Sequence, residues 1–339
     1  MRPGSASMRR KLDVVGVGNA LVDVLSHTDD SFLAEHGVIK GIMHLIGAER
    51  AAGLYGEMRD VHHKSGGSAA NTAVGVALLG GAAGYIGKVA DDGLGRIFAD
   101  DLAALGIEYS TPPASGDSGH ETGRSLVLVT PDGERSMNTY LGAAEILAWP
   151  DFDADMIAAS GWIYLEGYRL DGPMSLEAFR NAVRICHGSG GKVALTLSDP
   201  FCIERNRAEF QELIETGIDL LFCNRRELLS LYRTDDLRRA LGVAVSEVGI
   251  VACTLSGDGA VVADASGEWR VPAFPVTIVD TTGAGDLFAA GFLYGISNGI
   301  DLQRCARMGC AAASEVITHI GPRPESDLPE LFHELGLLP

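Results

Sequence analysis

The chain has 339 residues, 46% of them hydrophobic and 21% charged, enough apolar material for one large domain or a core with a smaller insertion. A formal net charge of −18 argues against a nucleic-acid or anionic-membrane partner. Its six cysteines show neither C-x-x-C nor paired-His spacing, and no apolar run approaches the ~18 residues of a membrane span, so a cytosolic protein with reduced thiols and no zinc site is expected.

Residues 1–12 are basic with no apolar stretch behind them, and read as a frayed tail rather than a secretory signal. Leu12–Val17 (LDVVGV) reads as a buried strand. Leu21 stands where a dinucleotide fingerprint needs glycine, which disfavours a Rossmann oxidoreductase. Asn19 and Asp23 follow that strand, where open α/β sheets place ligands; a turn Asn and a solvated Asp are the plain alternative. Residues 26–62 predict short strands and a small helix inserted outside the main sheet, with His62 and His63 on opposite faces of a strand and not around a metal. In SGGSAANTAVGVALLGG, Gly66 and Gly67 form a turn before a small-residue helix, which marks either a ligand site or an ordinary loop-to-helix junction. A strand at Tyr85–Val89 and a helix over 91–106 follow. Strands are then expected at 107–109, 122–129 and 135–140, the last two joined by the turn Pro131-Asp132-Gly133-Glu134.

From Asp151 the pattern alternates strand and helix, which specifies a mainly parallel sheet with helices on both faces. Gly190-Gly191-Lys192 fails as a P-loop, because Cys186 and Val193 replace its first glycine and its Ser/Thr. Asn224 and Glu227 follow the strand Leu220–Cys223; they read either as a capping box or as a pair that holds a hydrated Mg²⁺. Thr254, Ser256 and Gly259 form a loop that offers hydroxyl and N–H groups to a nucleotide. In Val279–Phe292 (VDTTGAGDLFAAGF) the glycines turn backbone N–H groups toward one point, and the helix that follows adds its positive end. This makes an anion hole at Gly283, Ala284 and Gly285. Asp286 at its mouth is either an N-cap or a base that deprotonates a hydroxyl attacking a phosphoryl group held there.

Four motifs, in order, resemble the ribokinase-like (PfkB) carbohydrate and nucleoside kinases: GGSAANTAVGVALLGG, Asn224…Glu227, Thr254–Gly259 (with Ser256 where glycine is usual) and DTTGAGDLFAAGF. The resemblance implies a three-layer αβα core with a mainly parallel sheet, spanning 13–25, 63–106 and 146–339, and a discontinuous β-rich lid over 26–62 and 107–145. It implies transfer of the γ-phosphoryl of ATP, with Mg²⁺, to a hydroxymethyl group, with Asp286 as base and Gly283–Gly285 as anion hole. It implies that Asn19, Asp23, Gly66, Gly67 and Asn71 hold the acceptor. Arg135, on a lid strand, either swings toward the phosphates on closure or is a solvated surface arginine. Asn224, Thr254, Ser256, Gly259 and Thr282 would serve the nucleotide, Glu227 Mg²⁺ through water, and Asp280 a monovalent cation such as K⁺. GNALVDV and the segment 305–325 are similar to adenosine kinases, so a nucleoside, adenosine first, is the expected acceptor; an apolar or aromatic purine sandwich could draw on Tyr140, Leu141, Tyr168 and Phe201, each of which is otherwise a core residue. A free sugar or sugar acid (fructose, ribose, 2-keto-3-deoxygluconate) is the alternative, and a non-catalytic sensor on the same fold is a second one. A monomer and a homodimer are equally compatible.

Overall fold

The computed structural model describes residues 11–338, so most of the expected tail lies outside the described residues, and Leu12 already belongs to the first strand. The strands in chain order are β1 (Leu12–Val17), β2 (Leu21–His27), β3 (Met43–Leu45), β4 (His62–Gly66), β5 (Ala83–Ile86), β6 (Glu108–Tyr109) and β7 (Gly123–Val129). They continue with β8 (Arg135–Tyr140), β9 (Ser160–Glu166), β10 (Lys192–Thr196), β11 (Leu220–Asn224), β12 (Ile250–Thr254), β13 (Ala260–Asp264) and β14 (Gly267–Val271). Nine form one sheet in the order β14-β13-β12-β11-β10-β9-β1-β5-β6, parallel from β6 to β12 and antiparallel beyond.

The central strands are apolar without polar alternation, because helices cover both faces. Successive residues feed two separate cores. Val14, Tyr164, Ala194 and Phe222 pack under the helices Ser68–Leu78, Ala284–Ser297 and Leu302–Val316. Val15, Leu165, Leu195 and Cys223 pack under Ser175–Gly188, Arg207–Gly217 and Leu237–Val248. The result is the expected three-layer arrangement.

The other five strands form a second sheet in the order β3-β8-β7-β2-β4. Its boundaries differ from those expected. β2 and β4 pair with each other in this sheet, so residues 21–27 and 62–66 leave the core. Glu108–Tyr109 does the opposite and pairs with β5 at the edge of the main sheet. The reason for the first is visible in β2, whose burial alternates strictly, with Val22, Val24 and Ser26 inside; a strand covered on one face only belongs to an open sheet. The apolar run at 276–279 forms no strand, and Ile278 and Val279 are exposed. Helices at Leu237–Val248 and Leu328–Glu334 complete the chain and were not expected from the sequence.

Candidate active site

The carboxyl ends of β1, β9, β10, β11 and β12 converge beneath the second sheet on a cavity of about 440 Å³. Open parallel sheets place their ligands at this position.

One wall is the turn Thr281–Asp286. Gly283 starts the helix Ala284–Ser297 at φ 80°, a left-handed conformation that glycine adopts without strain, and no side chain caps the helix. A Cβ at Gly283 would stand 2.6 Å from Pro322 Cα, so glycine is required there twice over. Gly285 differs, since a Cβ there would meet no protein atom within 4 Å. An uncapped helix start with open space above its first turn is a cradle suited to a phosphoryl group. Asp286 sits at its rim. Ser68 Oγ donates to its Oδ1 at 2.6 Å and Asn71 Nδ2 to its Oδ2 at 2.9 Å, while Thr72 Oγ1 donates to its carbonyl oxygen. Burial raises the Asp286 carboxyl above its ordinary range, against the pull of those two hydrogen bonds. Asn71 is buried, and its Oδ1 has no partner.

The side of the cavity next to β2 is built around two glycines. Gly67 (φ 98°) lies so close to the Asn19 carbonyl oxygen that any Cβ would strike it. Gly66 lets the Asp23 carboxylate lie against the backbone, where a Cβ would stand 2.5 Å from Oδ2. Gly66 itself does not line the cavity; Asn19, Asp23, Gly67 and Asn71 do. Burial raises Asp23 to about 6, opposed by the charges of Arg323 and Arg135. Beneath Asn19 lies a network that sequence reasoning missed. Glu166, 1% exposed, accepts from the backbone N–H of Asn19 at 3.3 Å and of Ala69 at 2.9 Å, stitching the end of β1 to the helix Ser68–Leu78. Burial lifts it to about 7 despite these bonds. Buried Arg169 donates to Asn19 Oδ1 at 3.1 Å, to Leu147 O and to Ser175 Oγ. A carboxylate at the carboxyl end of the apolar strand β9 was a signal available in the sequence; Arg169 had none.

Across the cavity, the second sheet contributes side chains in transverse rows fixed by register. Leu25, Val127, Met137 and Met43 are successive partners on β2, β7, β8 and β3, and all four line the cavity. The next row is Asp23, Ser125, Thr139 and Leu45, with Ser125 Oγ and Thr139 Oγ1 3.0 Å apart. The expected sandwich is met in part, and register adds to it an aliphatic and thioether wall. Tyr168 and Leu141 line the cavity, whereas Tyr140 does not and Phe201 is 68% exposed.

On the remaining side lie Asn224, Glu227, Thr254 and Thr282. Asn224 and Glu227 form a reciprocal capping box, with bonds of 2.8 and 2.9 Å and a third from Asn224 Nδ2 to Glu227 Oε1 at 2.5 Å. Burial raises Glu227 to about 8. Among the described residues no cluster of three or more His, Cys, Asp or Glu could cage a metal. Glu227, the carboxylate on this side of the cavity, fits Mg²⁺ that is carried on phosphates and touched through water. Ser256 and Gly259 lie outside the lining. Gly259 (φ 90°) is explained by backbone contact with Val271, and Ser256 adopts φ 54°, the left-handed conformation that accounts for glycine being usual there. Arg135 Nη1 pairs with Asp280 Oδ2 at 2.8 Å and reaches Thr282 Oγ1 at 3.3 Å, joining the second sheet to the turn.

An uncapped helix start with a recessed carboxylate at its rim, facing a pocket lined by polar side chains, is geometry suited to a phosphotransferase with an alcohol acceptor. The sequence pattern of the pfkB family carbohydrate kinases matches residues 39–329, and the chain belongs to that family. Its fold superposes on an adenosine kinase from Sinorhizobium meliloti with a TM-score of 0.88, at 49% identity over 96% of this chain and 99% of that one. A probable sugar kinase from Rhizobium etli superposes with a TM-score of 0.90, at 47% identity over 97% of this chain and all of that one. A 5-dehydro-2-deoxygluconokinase from Geobacillus thermodenitrificans is 31% identical over 264 residues, 75% of this chain and 78% of its own. Membership implies ATP as phosphoryl donor and ordinarily Mg²⁺. No helix among the described residues is long and apolar enough to cross a membrane.

Proposed function

We propose that the enzyme transfers the γ-phosphoryl group of ATP to the 5′-hydroxyl of a ribonucleoside, with adenosine as its preferred acceptor. The observation that carries this reading is the apolar row Leu25–Val127–Met137–Met43 over the cavity. A nucleobase has an apolar face to lay against such a wall, whereas a free sugar presents hydroxyl groups that the wall leaves unbonded. Charge favours the same reading over a sugar acid. The lining holds five carboxylates (Asp23, Glu166, Asp171, Glu227, Asp286) and two guanidinium groups (Arg135, Arg205). Both guanidinium groups are already paired, with Asp280 and Asp171.

In this reading Asn19, Asp23 and the free Oδ1 of Asn71 hold the ribose hydroxyls, with Gly66 and Gly67 shaping that subsite. Asp286 takes the proton of the attacking hydroxyl while the first turn of the helix at Gly283, Ala284 and Gly285 receives the transferred group. Thr254, Thr282 and Asn224 border the nucleotide, Ser256 and Gly259 shape the loop that follows Thr254, and Glu227 orients a water of Mg²⁺. The relative named as a 5-dehydro-2-deoxygluconokinase supports the second reading, a sugar-acid kinase. ADP release with ATP and Mg²⁺, measured against adenosine, inosine, guanosine, cytidine, ribose, fructose, 2-keto-3-deoxygluconate and 5-dehydro-2-deoxygluconate, separates the two. Turnover with adenosine at micromolar concentration is the expected result; turnover confined to a sugar or sugar acid would discard the nucleobase wall and keep the cradle.

A further inference from the structure

The family resemblance implies a monovalent cation beside Asp280, and the residues around Asp280 do not fit one. Its carboxylate is buried, and the neighbours that reach it are donors. Oδ1 accepts from the N–H and the hydroxyl of Thr282, at 3.0 and 2.7 Å. Oδ2 accepts from the Gly321 N–H at 2.9 Å and from Arg135 Nη1 at 2.8 Å. A K⁺ site instead needs several converging oxygen atoms that replace the ion's hydration shell. The Thr282 hydroxyl is committed on both sides, donating to Asp280 and accepting from Arg135 Nη1 at 3.3 Å.

The pair is enclosed, with the two side chains 9% and 7% exposed. A carboxylate so buried requires a compensating positive charge, and a guanidinium group is permanently charged and less tightly hydrated than an ammonium. Arg135 delivers that charge from β8, a strand of the other sheet. Its Nη2 is buried without a protein partner, which leaves one N–H pair free beside the turn.

We propose that Arg135 is the built-in cation of this site, so that the enzyme works without a monovalent metal ion. The inference concerns the cradle and holds whichever acceptor is phosphorylated.

The test compares KCl, NaCl and choline chloride at equal ionic strength, about 0.1 M, so that screening is constant. The first readout is the thermal midpoint of the protein without substrates; the second is ADP release with the best acceptor. For the parent protein, midpoints within about 1 °C of one another are expected. Its rates should differ by less than the ~5-fold that marks a real coupling. Arg135→Ala should acquire the response it lacked, with a midpoint in KCl at least about 3 °C above that in choline chloride and K⁺ restoring part of the lost turnover. Arg135→Lys keeps a positive charge and should remain indifferent, and it carries the variant arm if Arg135→Ala does not fold. A K⁺-specific rise in midpoint or rate of the parent protein would overturn the proposal. So would an Arg135→Ala protein as indifferent as its parent, or an Arg135→Lys protein that responds to K⁺. The midpoint arm uses no acceptor, so a wrong substrate assignment leaves it intact.

Discussion

Replacing Asp286 with asparagine keeps the size of the side chain and removes its capacity to take a proton. The two hydrogen bonds at its oxygens determine what the change does to the fold. Asn Oδ1 can still accept from Ser68 Oγ, but Asn Nδ2 would face the donor Nδ2 of Asn71. Rotation of the Asn71 amide resolves this, because its Oδ1 is unpartnered and can accept instead. The structural cost is then about 1–2 kcal/mol, two charge-assisted hydrogen bonds replaced by neutral ones. A second effect opposes it. The folded-state carboxyl of Asp286 is raised above 3.8, so its ionised form penalises the native state once the pH exceeds that ordinary value, and asparagine removes the penalty. At pH ~8 the thermal midpoint should therefore move by no more than about 4 °C. Turnover should fall by roughly 10²–10⁴-fold, the contribution of a positioned base, or about 3–5 kcal/mol of barrier. ADP release, calorimetric ATP titration and thermal denaturation measure the three quantities separately. Turnover within tenfold of the parent would refute the assigned role, and so would a large loss accompanied by lost ATP binding or a collapsed midpoint.

Three further substitutions probe the surroundings. Gly67→Ala forces a Cβ at φ 98° onto the Asn19 carbonyl, and should cost roughly 2 kcal/mol or more in urea unfolding; a cost below 0.5 kcal/mol would show that the turn relaxes freely. Met137→Gln places an amide in the apolar row and should raise the KM for adenosine by about tenfold with kcat nearly kept; an unchanged KM would remove the wall from recognition. Glu166→Gln tests the buried carboxylate. Because Glu166 is raised from 4.5 to about 7, the native state holds its proton more tightly than the unfolded chain, so its ionisation lowers stability as pH rises from 4.5 to 7. The midpoint of Glu166→Gln should fall less over that window than the parent's, and parallel curves would show that Glu166 titrates normally.

Legibility of the sequence divided along physical lines. The parallel core was readable because each strand is a continuous apolar run, and the cradle because Gly283, Gly285 and the helix behind them are adjacent in the chain. The second sheet was misplaced at its edges, since β2 follows β1 after a gap of three residues and only its alternate burial assigns it to another layer. Residue type suggested Tyr140, Leu141, Tyr168 and Phe201 for the pocket; Leu141 and Tyr168 line it, and register adds a wall that residue type did not suggest. Leu25, Val127, Met137 and Met43 come from four strands, and nothing local tells that they share a row. Long-range bonds were invisible for the same reason: Ser68 to Asp286 spans 218 residues and Arg135 to Thr282 spans 147. The reading of Asn224 and Glu227 as a capping box held without removing Glu227 from the cavity, so the two readings were never exclusive.

A chain of net charge −18 must still leave hydrogen-bond donors free for a phosphoryl donor, and the placement of its side chains explains how. Each carboxylate near the cradle is held by groups of the protein itself: Asp280 by Thr282, Gly321 and Arg135, Asp286 by Ser68 and Asn71, Glu227 by Asn224. Those donors are side chains, or N–H groups outside the helix Ala284–Ser297. The start of that helix has no side-chain cap, and so its partial positive charge is left facing the cavity. The alternative role of Asp286, as an N-cap, would have cancelled this charge. It does not arise because Asp286 lies within the helix, turned toward Ser68 and Asn71, while Gly283 stands at the cap position with no side chain to offer. The two glycines of the turn thus act electrically as well as sterically. Gly283 withholds a cap, Gly285 withholds a Cβ, and the N–H groups of the first turn stay open to the cavity within a chain that is acidic overall.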